Sequence, residues 1–410
     1  MLDGAGGPGV QRAMEIVATL GRIYGAPDLV PVTHVQIAGV SYKNLGDAGV
    51  QFLLDWAAEG AQVRVPTTLN PAGMELDRWQ EMGIDPAFAR PQLSAIDAFT
   101  TMGVTPTMSC TPYLFPGYTP SRGDHLAWAE SSAVIFANSI IGARSNREGG
   151  PSALAAAIVG RTPRYGYHLD QKRLADKVVE VRCPVRDVAD FGALSYVVGQ
   201  QVGSATLWFA DLADQLPPLP ADITQGGAAG DRLKTLGAGL AAYGAVALFH
   251  IAGYTPEARE LGERLIQPAA RRLVIDSLDP GYAVMDADPD LRQIDLVTIG
   301  CPHASLSELE QIAGMLAGQR VATQLWVTTA AITRQRGRAA GWVQAIEAAG
   351  GQVVADTCAV VAPMRSIGIA SMATNAGKMA CYAPAHSKVQ MRYGSLEQCV
   401  AAAVTGMWDG

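Results

Sequence analysis

The sequence predicts an α/β protein built from mostly parallel sheets flanked by helices, and three observations support this prediction. Segments with the apolar pattern of strands alternate with segments of helical period along most of the 410 residues. Such alternation is typical of right-handed βαβ units. The composition, 49% hydrophobic and 17% charged, supplies enough apolar side chains for large cores and excludes a disordered chain. At about 150 residues per domain, the length favours two or three domains.

In the N-terminal part, the residue pattern predicts a strand over Leu29–Ile37, a helix over Asp47–Ala58 and a strand over Ala61–Pro66. The segment Asp214–Asp231 is rich in Pro, Gly and Ala, which is typical of a domain boundary or an exposed crossing. We therefore expect two regions, residues 1–213 and residues 214–410.

The C-terminal part continues the alternation of strands and helices. The predicted elements are a strand over Ile294–Ile299, a helix over Ser305–Leu316, a strand over Val321–Val327, a helix over Ala331–Ala349 and a strand over Gln352–Ala355. This order predicts a parallel sheet with helices on both faces.

The charge pattern excludes two classes of protein. The net charge is −7 and no run of Lys or Arg occurs, so a nucleic acid is not expected as the main ligand. Residues Thr235–Pro256 carry no charge, but their glycines and His250 favour a buried helix leading into a core strand at Ala245–Ile251 rather than a membrane span. No signal peptide is recognisable at the start of the chain, and we expect a cytoplasmic protein without a membrane partner.

Three of the six cysteines lie where ligands bind in α/β proteins. Cys110, Cys301 and Cys358 each follow a predicted strand, and the carboxyl ends of parallel strands form the usual ligand edge. No C-x-x-C motif occurs, so any metal site has to be assembled from distant cysteines. Cys183, in a strand-like run, and Cys399, on an apolar helix face, are expected to be core residues.

Three converging thiolates would suit an iron–sulfur cluster that keeps one position open. An open iron acts as a Lewis acid on a substrate hydroxyl or carboxylate. Spacing alone leaves two alternatives: three unrelated loop cysteines, or a zinc site with His303 as the fourth ligand.

Three polar segments also follow predicted strands or begin helices. Backbone N–H groups and the Ser41 hydroxyl of Gly39–Asn44 could hold an anion, or they could simply cap the next helix. Asn70–Gly73 has the composition of a turn. Trp128–Ala133 places Glu130 and two serines at a helix start, where they could cap the helix or contact a ligand.

Two further features suggest anion binding. Arg144 and Arg147 stand in the glycine-rich run Gly142–Pro151 and make a plausible carboxylate clamp, although a solvated basic loop is the simpler interpretation. Lys378 follows Gly377, which would let a ligand approach the backbone.

Together these motifs resemble the large subunit, or catalytic domain, of the aconitase X family over essentially the whole chain. The motifs that carry the resemblance are GVSYKN, VPTTLNPAGM, SCTPY, WAESSAVIFANSIIGARSNREGGPSALAAAIVGRTP, GYHL, ALFHIAGYTPEA, GCPHAS and NAGKMACY. The resemblance implies an aconitase-like multi-domain arrangement and an iron–sulfur hydro-lyase.

The resemblance also implies roles for individual residues. Cys110, Cys301 and Cys358 would hold the cluster, either [4Fe-4S] or [2Fe-2S]. The implied substrate contacts are Gly39, Val40, Ser41, Asn70, Pro71, Glu130, Ser131 and Lys378. We expect catalytic roles for Glu130, Ser131 and Lys378 among these, and carboxylate binding by Arg144 or Arg147.

The family's catalytic unit includes a small swivelling domain, fused or separate, that carries a serine as the general base. Nothing in the sequence after the last predicted helix resembles that domain. We therefore expect a large subunit that works with a small swivelling subunit.

Two substrates are implied by the resemblance, cis-3-hydroxy-L-proline and (R)-5-phosphomevalonate, and both are small hydroxy acids that lose water beside a carboxylate. The sequence favours hydroxyproline dehydration to 1-pyrroline-2-carboxylate, because Glu130 could meet the ring ammonium while Lys378 and an arginine meet the carboxylate. A phosphate would demand more cationic donors. A non-catalytic α/β subunit that binds small molecules stays open as a different class.

Overall fold

The computed structural model describes residues 1–409, which form fourteen α-helices and fourteen β-strands. The helices are α1 (Pro8–Ile23), α2 (Tyr42–Ala58), α3 (Pro86–Thr101), α4 (Ser131–Phe136), α5 (Gly150–Val159), α6 (Val188–Val202), α7 (Ala228–Tyr243), α8 (Pro256–Leu261), α9 (Asp279–Met285), α10 (Leu306–Met315), α11 (Ala331–Ala339), α12 (Trp342–Ala348), α13 (Gly377–Ser387) and α14 (Leu396–Thr405). The strands are β1 (Leu29–Pro31), β2 (His34–Ile37), β3 (Thr67–Leu69), β4 (Leu126–Trp128), β5 (Arg161–Pro163), β6 (Ala175–Val181), β7 (Leu207–Phe209), β8 (Phe249–Ile251), β9 (Ile266–Ile275), β10 (Leu296–Ala304), β11 (Gln324–Thr329), β12 (Gln352–Ala355), β13 (Ser371–Thr374) and β14 (Gln390–Tyr393).

Three parallel sheets organise the chain, so the predicted α/β class is confirmed. The first sheet has the order β3-β2-β4, the second β8-β7-β6-β9 and the third β12-β11-β10-β13-β14. Only β1 and β5 pair antiparallel among the strands of residues 1–409. The second sheet takes strands from both sides of position 213/214, and the segment 214–231 joins β7 to α7 as a crossing.

Two strand predictions in the N-terminal part are wrong. The segment 29–37 forms two strands, because β1 turns away to pair with β5 before β2 enters the first sheet. The segment 61–66 forms no strand. Its amides bond elsewhere: Val63 N–H donates to Met102 O, and Arg64 N–H donates to Ala157 O, at 2.9 Å each.

The C-terminal predictions match the elements more closely. The strand at 352–355 is confirmed, and the helix predicted over 305–316 spans 306–315. Ser305 begins this helix with a capping box, since its hydroxyl accepts from Glu308 N–H while Glu308 accepts from Ser305 N–H at 2.9 Å. The single helix predicted over 331–349 is two helices, separated at Gly341, whose φ of 87° is a left-handed conformation that favours glycine.

The uncharged segment 235–256 is part of helix α7 and strand β8, as expected for a buried helix and core strand. Within residues 1–409, no helix has both the length and the apolar character needed to cross a bilayer.

Close contact between α6 and α7 fixes the start of α13. Gly199 on α6 faces the end of α7, where an added Cβ would come within 2.9 Å of Tyr243 Cβ and 3.1 Å of Gly244 N. The Tyr243 hydroxyl in turn donates to Gly377 O at 2.9 Å, one residue before Lys378. The absence of a side chain at position 199 therefore helps to place Lys378.

We predict that Gly199→Ala destabilises the protein by about 1–3 kcal/mol, because the new methyl group meets backbone atoms that cannot move aside. The matched control is Gly314→Ala on α10, where a Cβ meets nothing within 4 Å and helix propensity improves by up to about 1 kcal/mol. Urea unfolding of both variants checks this prediction. Equal midpoints for Gly199→Ala and the wild type would contradict it.

Candidate functional site

The carboxyl edge of the first sheet brings together most of the predicted polar residues. Gly39–Ser41 follow β2, Asn70 follows β3 and Glu130 follows β4, and these three strands are neighbours. The parallel direction of the strands explains why segments distant in sequence meet at one edge.

Glu130 is the centre of the polar group. Its side chain is buried at the start of α4, with 8% of the residue exposed. Asn70 Nδ2 donates to Glu130 Oε2 at 2.7 Å, while the hydroxyls of Ser131 and Ser132 donate to Oε1 at 3.3 and 3.0 Å. Lys378 Nζ forms an ion pair with the same Oε1.

The ion pair keeps both buried groups charged. Burial raises the pKa of Glu130, but the charge of Lys378 and the hydrogen bonds around the carboxylate outweigh this effect and lower it to about 2. Burial lowers the pKa of Lys378, but the Glu130 charge raises it above its usual value. Because one buried charge without its partner costs about 3–5 kcal/mol, each residue depends on the other.

The three predicted cysteines are buried, and the charges of Glu130 and Lys378 act on the pKa of each. Burial raises the pKa of each of the three thiols, and the Glu130 charge raises it further, while the Lys378 charge lowers it. The net result for Cys110 is a pKa of about 12. All three thiols are therefore within electrostatic reach of the same two side chains. No more than 8% of any of the three cysteines is exposed.

The sequence suggested that Cys301 follows the end of its strand, and this prediction is wrong. Cys301 lies inside β10, where the pairing with β11 shifts register between Ile299 and Ala304. Gly300 has a φ of 104° in this bulge, which a side chain would strain. The extra residues let the strand keep its place in the sheet while Cys301 leaves the regular pairing.

His303 joins the segments that carry the three cysteines. Its Nδ1 contacts Ser109 Oγ at 3.1 Å and its Nε2 contacts Thr357 O at 3.1 Å, next to Cys110 and Cys358 respectively. Its backbone N–H donates to Cys110 Sγ at 3.2 Å. Burial lowers the pKa of His303 to about 4, so the ring is neutral and donates from Nε2 to the carbonyl.

These contacts argue against the zinc alternative. Both ring nitrogens of His303 already have protein partners, which leaves none for a metal. Within residues 1–409, no three His, Cys, Asp or Glu side chains approach one another closely enough to hold a single metal ion. A cluster is different, because each thiolate binds its own iron and the three sulfur atoms need not meet at one point.

Unpartnered polar atoms around the thiols also fit a bound group. The buried atoms Asn70 Oδ1, Thr357 Oγ1 and Tyr113 OH have no hydrogen-bond partner within residues 1–409. Buried polar atoms are rarely left without a partner in the working protein. Asn70 contacts Glu130 and Thr357 precedes Cys358, so these atoms identify the same region as the candidate site.

Gln92 holds the first two polar segments together. Its Oε1 accepts from Tyr42 N–H and from Gly73 N–H at 2.9 Å each, and its Nε2 donates to Val40 O at 3.0 Å. The predicted contacts at Gly39–Ser41 and at Asn70 and Pro71 are therefore fixed relative to each other by one buried amide.

The two predicted arginines lie at different places. The backbone of Arg144 pairs with that of His125, which lies five residues before Glu130 in the sequence. The Arg144 side chain forms an ion pair with Asp170. The structure does not bring Arg144 to the group around Glu130. Arg147 pairs beside Trp128, is exposed and has no carboxylate within 4.0 Å among residues 1–409. Its Nη1 donates to Ala241 O at 3.5 Å, near the end of α7.

The other cysteines are separate from this group. Cys399 is fully buried on α14, as predicted, while Cys183 is only partly buried just after β6 and is not a core residue. Cys381 lies on α13 and is partly buried.

A buried charged triad supports the segment after Cys301. Lys234 on α7 forms ion pairs with Asp231 and with Glu308 on α10, and its Nζ also donates to His303 O at 3.1 Å. Burial and the Asp231 charge raise the pKa of Glu308, and the Lys234 charge opposes them. The triad joins the second sheet's helices to the third sheet directly behind the thiols.

Sequence reasoning missed His303, Gln92 and Lys234 as structural residues of the site. Gln92 and Lys234 each interrupt an otherwise apolar helical face, which is the one sequence signal that could have identified them. The role of His303 depends on partners that are 194 and 54 residues away, so no local pattern could reveal it.

Comparisons with known proteins match this chain to one family along its length. Family models described as the first, second and third domains of aconitase X match residues 1–171, 175–280 and 294–405. The crystal structure of Thermococcus kodakaraensis aconitase X in its holo-form superposes with a TM-score of 0.87 at 40% identity, covering 98% of this chain and 97% of that one.

Two groups of named relatives are similar to the chain. The phosphomevalonate dehydratase large subunit of Methanothermobacter thermautotrophicus is 45% identical over 94% of this chain and 92% of its own length. The corresponding subunit of Methanocaldococcus jannaschii is 42% identical over 97% and 96%. The cis-3-hydroxy-L-proline dehydratase of Pseudomonas aeruginosa is 34% identical over 99% of this chain and 69% of its own length.

We predict that His303→Phe loosens all three cysteine segments. The ring would keep its volume but leave the Thr357 carbonyl without its His303 partner, at a cost of about 1–3 kcal/mol, and it would remove one of the contacts of the Ser109 hydroxyl. Alkylation of Cys110, Cys301 and Cys358 in metal-free protein, followed by mass spectrometry, should be at least tenfold faster than in the wild type. Cys399 is the internal control and should stay protected. Unchanged alkylation of the three thiols would contradict the bridging role.

Proposed function

The chain belongs to the aconitase X family and is a dehydratase, and from this premise we propose that it is the large subunit of an enzyme that dehydrates (R)-5-phosphomevalonate. The observation that carries this proposal is the difference in identity between the two groups of relatives. Five phosphomevalonate dehydratase large subunits are 33–45% identical to this chain, four of them at 41–45%, and two hydroxyproline dehydratases are 33–34% identical. The non-catalytic alternative is not retained, because both groups are named dehydratases.

The site's charges also favour this substrate over hydroxyproline. The sequence argument for hydroxyproline required Glu130 to meet the ring ammonium. The Glu130 carboxylate already pairs with Lys378 and accepts from Asn70 and the serines, so its charge is balanced within the protein. Arg147 stands on the segment that pairs with Trp128 and has no carboxylate partner among residues 1–409, and such a cation would suit an anionic substrate better than a zwitterion.

We propose that Cys110, Cys301 and Cys358 hold the iron–sulfur cluster with which the family is associated. The three buried thiols and the unpartnered polar atoms beside them support this assignment. When bound, such a cluster supplies a Lewis acid for the departing hydroxyl group. Because each ligand thiol must lose its proton, and burial raises the pKa of all three, loading requires proton release.

The chain's own residues would bind and orient the substrate. Gly39, Val40, Ser41, Asn70 and Pro71 form one rigid edge, and Asn70 Oδ1 offers a free acceptor to a substrate hydroxyl. Arg147 is proposed to bind an anionic end. Lys378 holds a proton at Nζ beside the thiols, while Glu130 and Ser131 fix the direction of that ammonium group. These assignments make Glu130, Ser131 and Lys378 the catalytic residues of this chain.

A small partner subunit would complete the enzyme. The phosphomevalonate relatives are named large subunits, which implies a smaller one. We propose that this partner brings the serine general base that removes the α-proton, as the family resemblance implies.

We predict that the chain combined with its small subunit dehydrates (R)-5-phosphomevalonate and not cis-3-hydroxy-L-proline. NMR of both substrates in parallel, following loss of water, measures this directly. The large subunit alone should show less than a hundredth of the combined rate, since the base is absent. Dehydration of hydroxyproline with no reaction of phosphomevalonate would refute the proposal.

We predict that Cys110→Ser, Cys301→Ser and Cys358→Ser each lose the visible absorbance and most of the bound iron, because a hydroxyl is a poor ligand for iron in a cluster. Cys183→Ser and Cys399→Ala are the controls and should keep both. Iron and sulfide analysis of anaerobically purified protein provides the measurement. Full iron retention in any one of the first three variants would remove that cysteine from the ligand set.

A further inference from the structure

A polar cleft of about 490 Å³ lies next to the candidate site, between the start of α2, the segment after Cys358 and the end of α13. It is separate from the group around Glu130, and none of the residues proposed above as substrate contacts lines it. Its walls include Tyr42, Lys43, Arg365, His386, Ser387 and Lys388.

The cleft is cationic although the chain as a whole is acidic. Lys43, Arg365, His386 and Lys388 line it, and no carboxylate does. None of these four side chains has a carboxylate within 4.0 Å among residues 1–409. Elsewhere in the described residues, most of the close ion pairs use arginine. Lys43 and Lys388 are also two of only six lysines in the sequence. The nearest acidic contact is Asp47, which accepts from the Tyr42 hydroxyl at 2.7 Å.

Lys43 connects the cleft to the candidate site. Its Nζ donates to Ser387 Oγ at 3.2 Å and to Val360 O at 3.4 Å, two residues from Cys358. Ser41, two residues before Lys43, donates to Val361 O at 3.1 Å. The inner end of the cleft therefore begins where the cysteine group ends.

We propose that this cleft binds the phosphate group of the substrate, with Lys43 at its inner end and Arg365 and Lys388 on its walls; this inference rests on the proposed function. A phosphate monoester carries about −1.5 to −2 charges at pH 7 and is held best by several cationic donors. Arginine offers a planar pair of N–H donors, and lysine adds a compact charge.

The substrate is long enough for its two anionic ends to bind at separate places. Six bonds separate the carboxylate carbon of phosphomevalonate from its phosphorus, which is about 7 Å when extended, at roughly 1.2 Å per bond. The phosphate would lie at the inner end of the cleft, where Lys43 Nζ donates to Val360 O, two residues from Cys358. Hydroxyproline has no group that could use it. The cleft would thus separate the two substrates known for relatives of this chain.

The test uses Arg365→Gln and Lys388→Gln, alone and combined, in the two-subunit enzyme. We expect the KM for phosphomevalonate to rise about tenfold in each single variant and at least fiftyfold in the double variant, with a smaller fall in kcat. Arg320→Gln and Lys172→Gln are the matched controls, since both are exposed and lie outside the cleft and the site. They should keep wild-type constants.

A second measurement does not depend on turnover. Inorganic phosphate should raise the thermal midpoint of the wild-type large subunit more than sodium chloride of equal ionic strength, and the double variant should lose this response. If the enzyme converts phosphomevalonate but the variants keep the wild-type KM, the subsite is wrong and the proposed function stands.

Two other outcomes are equally decisive. If phosphomevalonate is not a substrate, the proposed function fails, and the phosphate response alone decides whether the cleft is an anion site. Loss of the response in the double variant supports an anion site. An unchanged response in the double variant overturns the anion site. If the variants no longer associate with the small subunit by gel filtration, the cleft is a docking surface for that protein and the proposal is overturned.

Discussion

The candidate site depends on one buried imidazole ring. His303 contacts the segments before Cys110 and Cys358 and stands two residues after Cys301, so a single side chain fixes three segments that come from two different sheets. In the neutral ring Nε2 donates to Thr357 O, which leaves Nδ1 to accept from the Ser109 hydroxyl. Burial, which lowers the pKa of His303 to about 4, secures that neutral state.

The second constraint is electrostatic. Glu130 belongs to the first sheet and Lys378 to a helix that covers the third, and each would be costly to bury alone. Their pairing therefore requires the two sheets to meet in one relative position. Helices α6 and α7 of the second sheet contribute to that position through Tyr243, which bonds to Gly377 next to the lysine. The site is thus a property of all three sheets together.

The sequence could predict the parts of this arrangement that depend on local pattern or on strand direction. The parallel α/β class, the strand at 352–355 and the placement of Asn70, Glu130 and Cys358 beyond strand ends all follow from such rules. The position of Cys301 does not, because a register shift within β10 depends on how β11 pairs with it. Arg144 and Arg147 are only three residues apart in the sequence. Their different partners depend on how the folded chain packs, which no local pattern shows. The preference for hydroxyproline rested on a free Glu130 carboxylate, and the sequence could not show that Lys378 already pairs with it.

The triad of Lys234, Asp231 and Glu308 has a consequence for how the chain assembles. It lies between α7 and α10, helices that pack on two different sheets. An apolar surface would tolerate a docking error of one helical turn, because apolar contacts have little directional preference. A lysine that misses both carboxylates and the His303 carbonyl would instead leave a bare ammonium group in the interior, at a cost of about 3–5 kcal/mol. The triad therefore favours one relative position of α7 and α10. It does so next to His303, which aligns the three cysteine segments.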